Sequence, residues 1–450
     1  MESFKNRETL ESLDSRWYKR FEQVYFQDYI MFDGNGKHRA AEREAFLSGV
    51  SENPDLDYPN LENFDFDTKE ENLFQLRVDI IEQEPNEYLK GIYRAKINEL
   101  LATVRMLRAT KCRDDKKFDR YSSFIFGKPT EENTKYIINQ IKNKLEKKNS
   151  NNETKKQAII SLLTLFETVD LSNVKDLAEG IDFPIGSGEK EVISSAEEIH
   201  SLFLKSLQDI GLNDWGVVID PKNCLTGMRT NQLEKVLEIP SDERIKERVI
   251  TKDKIYGLIE HEIKTHALRR HNGERSKLKL LGIGLDRYIK GEEGIATYAE
   301  QQVTGKKEFS GIPKYFAIAV AKGFDGKPRD FRRTFEVMKN YYLANLPDEN
   351  DLMQRAERSA WVDCIRIFRG TTGKTPGAVY TKDLAYFSGN KEIWHLVSAN
   401  SDVVKTFSIG KFDPNNREHV YLLSKLGILD EELYDIENEV NADERNMSRV

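Results

Sequence analysis

The histidines of HEIKTH, His261 and His266, make a demand on the backbone that few sequences make. They sit inside Lys252 to His271 (KDKIYGLIEHEIKTHALRRH), where apolar residues recur at helical steps. On an ideal α-helix, residues four apart stand about 40° from alignment, whereas residues five apart stand about 140° apart. For His261 and His266 to share a face, one turn must widen into a π-bulge, a distortion that concentrates at functional sites. The spacing predicts this distortion between His261 and Thr265. Asn272 and Gly273, residue types that tolerate the left-handed conformation, read as the end of the helix.

The reason to expect a shared face lies in the surrounding residues. Only seven histidines occur in 450 residues, and three of them fall between His261 and His271. Composition alone predicts about 0.02 histidine-acid-x-x-x-histidine patterns in this length, so chance does not account for the motif. Two imidazoles and a neighbouring carboxylate are what hydrolytic zinc uses: neutral nitrogen ligands, plus a base, here Glu262, to take a proton from water. A third ligand is still needed. The run GEEGIATYAEQ leaves room after His271 for a loop and a returning helix from about Glu292 to Gln302. Glu293, at the start of that helix, is the candidate, and Thr297 and Glu300 share its face. Glu300 would suit an acceptor for a ligand-histidine N–H. Glu292 competes with Glu293, while His271 reads as a structural charge at a helix C-terminus.

HEIKTHALRRHNG followed by LLGIGLDRYIKGEEGIA resembles the metallopeptidases that include microtubule-associated tyrosine carboxypeptidases and the bacterial QEGLA-motif proteins labelled flavohaemoglobin expression-modulating. The resemblance covers most of the chain, from the DYPNL segment and FGKP to RIFRGTTG and TKDLAYFSG. It implies His261, His266 and Glu293 as ligands of one zinc ion per chain and Glu262 as catalytic acid and base. Glu292 is then left as an N-terminal helix charge. The resemblance also implies release of a C-terminal, aromatic residue from a peptide or protein. Lys264 stands where relatives carry glycine, and Ile295 replaces their leucine, but neither is a proposed ligand. Arg366 and Arg369, with Tyr380, Lys382 and Tyr386 downstream, are candidates for a carboxylate clamp and an oxyanion donor, because a guanidinium grips a carboxylate in a fork. The same arginines read equally well as structural ion pairs.

The remainder of the chain bounds these readings. Charged residues make up 32% and hydrophobic residues 38%, with a mean hydropathy of −0.63, which suits a soluble protein with a charged, helix-rich surface. The net charge of −7 argues against broad nucleic-acid binding. No run approaches the ~18 apolar residues of a membrane span, and the charged N-terminus does not read as a secretory signal, so the expectation is a cytoplasmic protein. Cys112, Cys224 and Cys364 lack metal or disulfide spacing and read as buried thiols. Residues 1–150 read as an N-terminal helical region, and 151–450 as the catalytic region, with the two forming one integrated unit. Glu71 to Arg108 reads as two helices split near Pro85, and Ser195 with Glu198 as a capping box. Trp215 to Asp220 and Gln232 to Ile239 read as strands. The expected fold is α+β, mainly helical and zincin-like, with a small sheet beside the motif helix. Two other readings remain: a metal-binding regulator without turnover, which an intact Glu262 argues against, and a metal-free helical interaction protein.

Overall fold

Short polar side chains set many of the helix starts. Asp65, Asn86, Thr130, Asn152 and Ser195 each accept a hydrogen bond from a backbone N–H of the first turn that would otherwise lack a partner. Pro85 separates the helices Phe66–Gln83 and Glu87–Lys111, the split expected from sequence. The computed structural model describes residues 12–186, 188, 191–193, 195–220, 227–246 and 250–434. Cys224 and the acidic run beyond 434 lie outside the described residues. Cys364 is buried, whereas Cys112 is exposed, contrary to its reading as a buried thiol, because it caps the end of Glu87–Lys111.

The chain is mainly helical with a small sheet. One core joins Phe46, Ile137 and Ile141 to Leu162, Phe316, Phe331 and Phe368. A second joins Trp17, Phe21, Tyr93 and Leu107 to Leu281, Tyr380 and Phe412. Both cores therefore draw on residues before and after position 150. The polar stretch there is a turn between the helices Glu131–Glu146 and Glu153–Phe166.

A two-stranded antiparallel sheet pairs Val192–Ile193 with Ile250–Thr251, and the sheet beside the motif helix has three strands. Gly216–Ile219 runs parallel to Val236–Ile239, and Arg229–Asn231 pairs antiparallel on the other edge of Val236–Ile239, with Thr230 opposite Leu237. The outer strand Gly216–Ile219 and the central strand Val236–Ile239 are shorter than the runs Trp215 to Asp220 and Gln232 to Ile239 read from sequence, and Arg229–Asn231 falls between those runs. Against this sheet and the helix Ala196–Asp209 packs the motif helix, through Ile255, Ile259, Ile263 and Ala267. Fully burying each of the three isoleucines contributes roughly 1.5–3 kcal/mol, so the motif is anchored by its apolar side.

That helix is built in three parts: α-helical Lys252–Leu258, π-helical Ile259–Ala267 and α-helical Leu268–Glu274. The widened turn extends over more residues than the predicted distortion. Asn272 and Gly273 do not form a left-handed cap, because the helix runs through them. Gly273 is needed for close approach instead: a Cβ there would sit 2.3 Å from the Leu281–Gly282 backbone. The returning helix spans Ile289–Thr304, so it begins before Glu292. It crosses Leu384–Ala399 with backbones nearly touching, since a Cβ on Gly294 would lie 2.5 Å from the Gly389 carbonyl oxygen.

Candidate metal centre

The π-helical segment stacks residues five apart, as its i→i+5 hydrogen bonding requires. Thr265 Oγ1 donates to the Glu260 carbonyl five residues back, at 2.9 Å. The His261 and His266 rings consequently lie side by side, centroids 5.0 Å apart. Glu293 meets them from the returning helix, its Oε2 lying 3.6 Å from His261 Nε2 and 3.9 Å from His266 Nε2. One donor atom from each of the three residues falls within 4.8 Å of the others. The buried Glu293 Oε2 has no hydrogen-bond partner.

The far nitrogens of the two rings are held differently. His261 Nδ1 lies 3.4 Å from Glu300 Oε2, which also receives the Lys254 ammonium on its other oxygen at 2.8 Å. His266 Nδ1 is 2.8 Å from Glu292 Oε1. Glu292 is not a solvated charge at a helix start, as sequence had suggested. The helix begins a turn earlier than expected, which carries Glu292 into the interior, 1% exposed. There Arg269 Nη1 meets its Oε2 at 2.5 Å and Lys411 Nζ its Oε1 at 2.5 Å. Arg269 also ties down the Gly410 and Phe412 carbonyls, each at 2.8 Å. Burial opposes ionisation of Glu292, but Lys411, Arg269 and His266 outweigh it and hold the carboxyl well below the usual range. An ionised Glu292 accepts from His266 Nδ1, which turns Nε2 toward Glu293.

His261 stands among three carboxylates, Glu262, Glu293 and Glu300. Burial pushes its imidazole down, yet Glu293, Glu300 and Glu262 together raise it to about 10. Two imidazole nitrogens and one carboxylate oxygen, converging from the buried His261 and His266 and the half-buried Glu293, match the donor set of a catalytic zinc site.

Glu262 lies one residue beyond His261 and is buried. The Thr230 hydroxyl, from the edge strand, donates to its Oε2 at 2.6 Å. Thr230 was missed in the sequence reading, because a three-residue strand carries no period-two pattern to find. Glu262, the two histidines and Glu293 open into one cavity of about 420 Å³, which is also lined by Phe32, Tyr58, Arg366, Arg369, Tyr380, Lys382 and Tyr386.

These cavity residues are not equivalent. Arg366 grips Asp383 in a fork, Nε to Oδ2 at 2.7 Å and Nη2 to Oδ1 at 2.9 Å. Tyr380 is 2% exposed, donates to Asp28 Oδ2 at 2.8 Å and packs on Phe32, Phe118 and Phe126. The Tyr386 ring has Lys314 Nζ 4.1 Å and Arg366 Cζ 5.9 Å from its centroid. His271 is remote from this group and contacts Asp214 at 3.4 Å.

No helix among the described residues is long and apolar enough to cross a membrane. No curated protein gives a significant match to the chain. The family model described as microtubule-associated tyrosine carboxypeptidase matches residues 44–169 and 243–447, well over half of the sequence. The matched stretches contain the motif helix, Glu293 and the Arg366 to Tyr386 region, and omit the sheet that carries Thr230. This chain belongs to the microtubule-associated tyrosine carboxypeptidase family.

Proposed function

We propose that this protein is a zinc-dependent carboxypeptidase that removes a C-terminal, aromatic residue from a peptide or protein. The observation that carries the reading is the convergence of His261, His266 and Glu293 beside Glu262 in one cavity. His261 Nε2, His266 Nε2 and Glu293 Oε2 are the atoms that would hold the metal. Zinc, when bound, supplies Lewis-acid charge stabilisation and acidifies a water molecule.

The chain's own residues then divide the remaining work. Glu262 takes a proton from the attacking water and returns it to the leaving amine, as a general base and then a general acid. Thr230 holds one oxygen of that carboxylate, leaving the other to face the reacting atoms. Glu292 and Glu300 orient the two imidazoles, and Arg269 and Lys411 keep Glu292 ionised. Tyr386, whose phenolate is disfavoured first by burial and then by the charges of Glu293 and Glu262, keeps its proton and is the candidate donor to a developing oxyanion. Phe32, Tyr58 and Tyr380 provide apolar wall for the departing side chain. The test is digestion of a proteome-derived peptide library with the zinc-loaded protein and with Glu262→Gln, read by mass spectrometry. Loss of single C-terminal residues in the first and not the second is the expected result. No cleavage of any peptide by the zinc-loaded protein would overturn the enzyme reading.

A further inference from the structure

Thr230 holds the carboxylate of the proposed base, yet its own strand is slight. Arg229–Asn231 has three residues and, among the described residues, pairs along one edge only, with Val236–Ile239. An edge of that length carries few backbone hydrogen bonds, so its position depends on what its side chains meet. Alternation sends Arg229 and Asn231 to one face and Thr230 to the other. On the first face both meet the buried carboxylate of Glu238, Arg229 Nε at 2.6 Å and Asn231 Nδ2 at 3.2 Å. On the second, Thr230 Oγ1 meets Glu262 Oε2 at 2.6 Å. The Arg229 guanidinium also takes a second carboxylate: its Nη1 and Nη2 fork onto Asp33 Oδ1 and Oδ2 at 3.2 and 3.3 Å.

Asp33 closes a clasp that crosses the cavity. It follows the one-turn helix Asp28–Met31, and Asp28, Tyr29 and Asp33 all line the cavity. At one end, Asp28 accepts from the Tyr380 hydroxyl at 2.8 Å and lies 3.6 Å from Lys382 Nζ. In the middle, the Tyr29 ring has Lys382 Nζ 5.8 Å and Arg229 Cζ 5.9 Å from its centroid, and its hydroxyl donates to the Thr230 carbonyl at 3.3 Å. Arg39 donates to the Phe32 carbonyl at 2.6 Å, which fixes the chain just before Asp33. At the other end, Asp33 holds Arg229. A carboxylate at each end of one short segment therefore ties the aromatic wall to the strand beside the base. Both the clasp and the strand lie outside the residues matched to the family, 44–169 and 243–447.

We infer that Asp33 is a positioning residue for the proposed reaction: by gripping Arg229 it fixes the edge strand, and through that strand it fixes the Thr230 hydroxyl that aims Glu262. The inference rests on the peptidase reading and deepens it, because it makes the N-terminal segment part of what sets the base. Charge balance alone does not call for the fork. Arg229 meets Glu238 without Asp33, and the Asp33 side chain is 28% exposed, so water can solvate its carboxylate. A two-bond fork between residues 196 positions apart adds geometric definition that a single contact lacks.

A double-mutant cycle tests the route. Asp33→Ala should lower kcat roughly fivefold, the upper end of what a partly exposed ion pair contributes, with KM and zinc content unchanged. In a Thr230→Val background the same substitution should cost nothing further, because the hydroxyl it acts through is already gone. Asp33→Glu, which keeps the carboxylate, should recover most of the rate. Hydrogen exchange read by mass spectrometry should quicken over residues 229–239 in Asp33→Ala, with exchange over the motif helix unchanged. Losses that multiply in the double variant overturn the inference, since Asp33 would then act by another route. A raised KM with kcat unchanged also overturns it, by making Asp33 a contact of the substrate. So does exchange that is unaltered over 229–239, or quickened throughout the chain. Failure of the peptidase reading shows separately, as absence of cleavage by the zinc-loaded protein without substitutions, because the exchange measurement needs no turnover.

Discussion

The two ends of the cavity solve opposite electrostatic problems with the same device. At the metal end, the adjacent carboxylates Glu292 and Glu293 are divided: Glu292 is neutralised by Arg269 and Lys411, while Glu293 Oε2 has no hydrogen-bond partner. At the other end, the arginines Arg366 and Arg369 are divided: Arg366 is forked on Asp383, while among the described residues Arg369 makes no hydrogen bond or ion pair. In each pair one charge builds the wall and the other faces the space. On the proposed reading, the charge that answers Glu293 is the metal's.

The comparison breaks most completely at the metal end. Replacing both His261 and His266 by alanine removes two of three donors, and zinc content should fall from about one per chain to background, with peptidase activity lost. Elemental analysis checks this, and retention of near-stoichiometric zinc in the double variant would disprove the ligand assignment. The next effect is catalytic. Glu262→Gln should keep its zinc and its fold while losing about 10²- to 10⁴-fold in kcat, the usual contribution of a positioned general base. Equal activity with glutamine would assign the proton transfer elsewhere.

The divided pair itself is tested by exchanging the two carboxylates for amides and measuring the metal-free proteins. Glu292→Gln leaves Lys411 and Arg269 buried without their counter-charge, a loss of about 3–5 kcal/mol when a buried pair is broken. Its melting temperature should drop by several degrees, and metal affinity should fall roughly 10- to 100-fold through the loosened His266. Glu293→Gln should lower metal affinity with a smaller drop in the metal-free melting temperature, because the neighbours of its carboxylate, His261 Nε2 and His266 Nε2, lie 3.6 and 3.9 Å away, farther than the partners of Glu292. Similar destabilisation by both substitutions would show that the two carboxylates are not divided in this way.

The same contrast marks what could be read in the sequence. The five-residue step predicts the π-helix because helical geometry allows no other way to align His261 with His266, and Glu300 follows from the spacing of seven along one helix face. These are local facts. The role of Glu292 is not local: Lys411 comes from 119 positions away, and nothing at GEEG announces a partner there. Likewise, Arg366 and Arg369 look alike until the helix ends between them and Asp383 arrives from another segment. Lys411, in the apolar and glycine context of SIGKF, carried a faint signal, since a buried lysine needs a carboxylate. The sheet was legible in outline, but its functional edge, Arg229–Asn231, was too short to show alternation.

That edge supplies the smallest of the expected effects. Thr230 donates to Glu262 Oε2 at 2.6 Å and touches no candidate ligand, so its part is to aim the base. Thr230→Val keeps the branched shape of a strand residue paired with Leu237 and removes only the hydroxyl. A hydrogen bond to a charged group contributes about 1.5–3 kcal/mol, and solvent or a rotated carboxylate recovers part of it. The expected loss is therefore on the order of tenfold in kcat, with zinc content and KM unchanged, well short of Glu262→Gln. Thr230→Ser, which restores the hydroxyl, should recover most of the rate. If valine instead lowers zinc content along with activity, the strand supports the whole motif helix rather than aiming Glu262. If valine changes neither, the Glu262 carboxylate is oriented by its own helix and needs no help from the sheet.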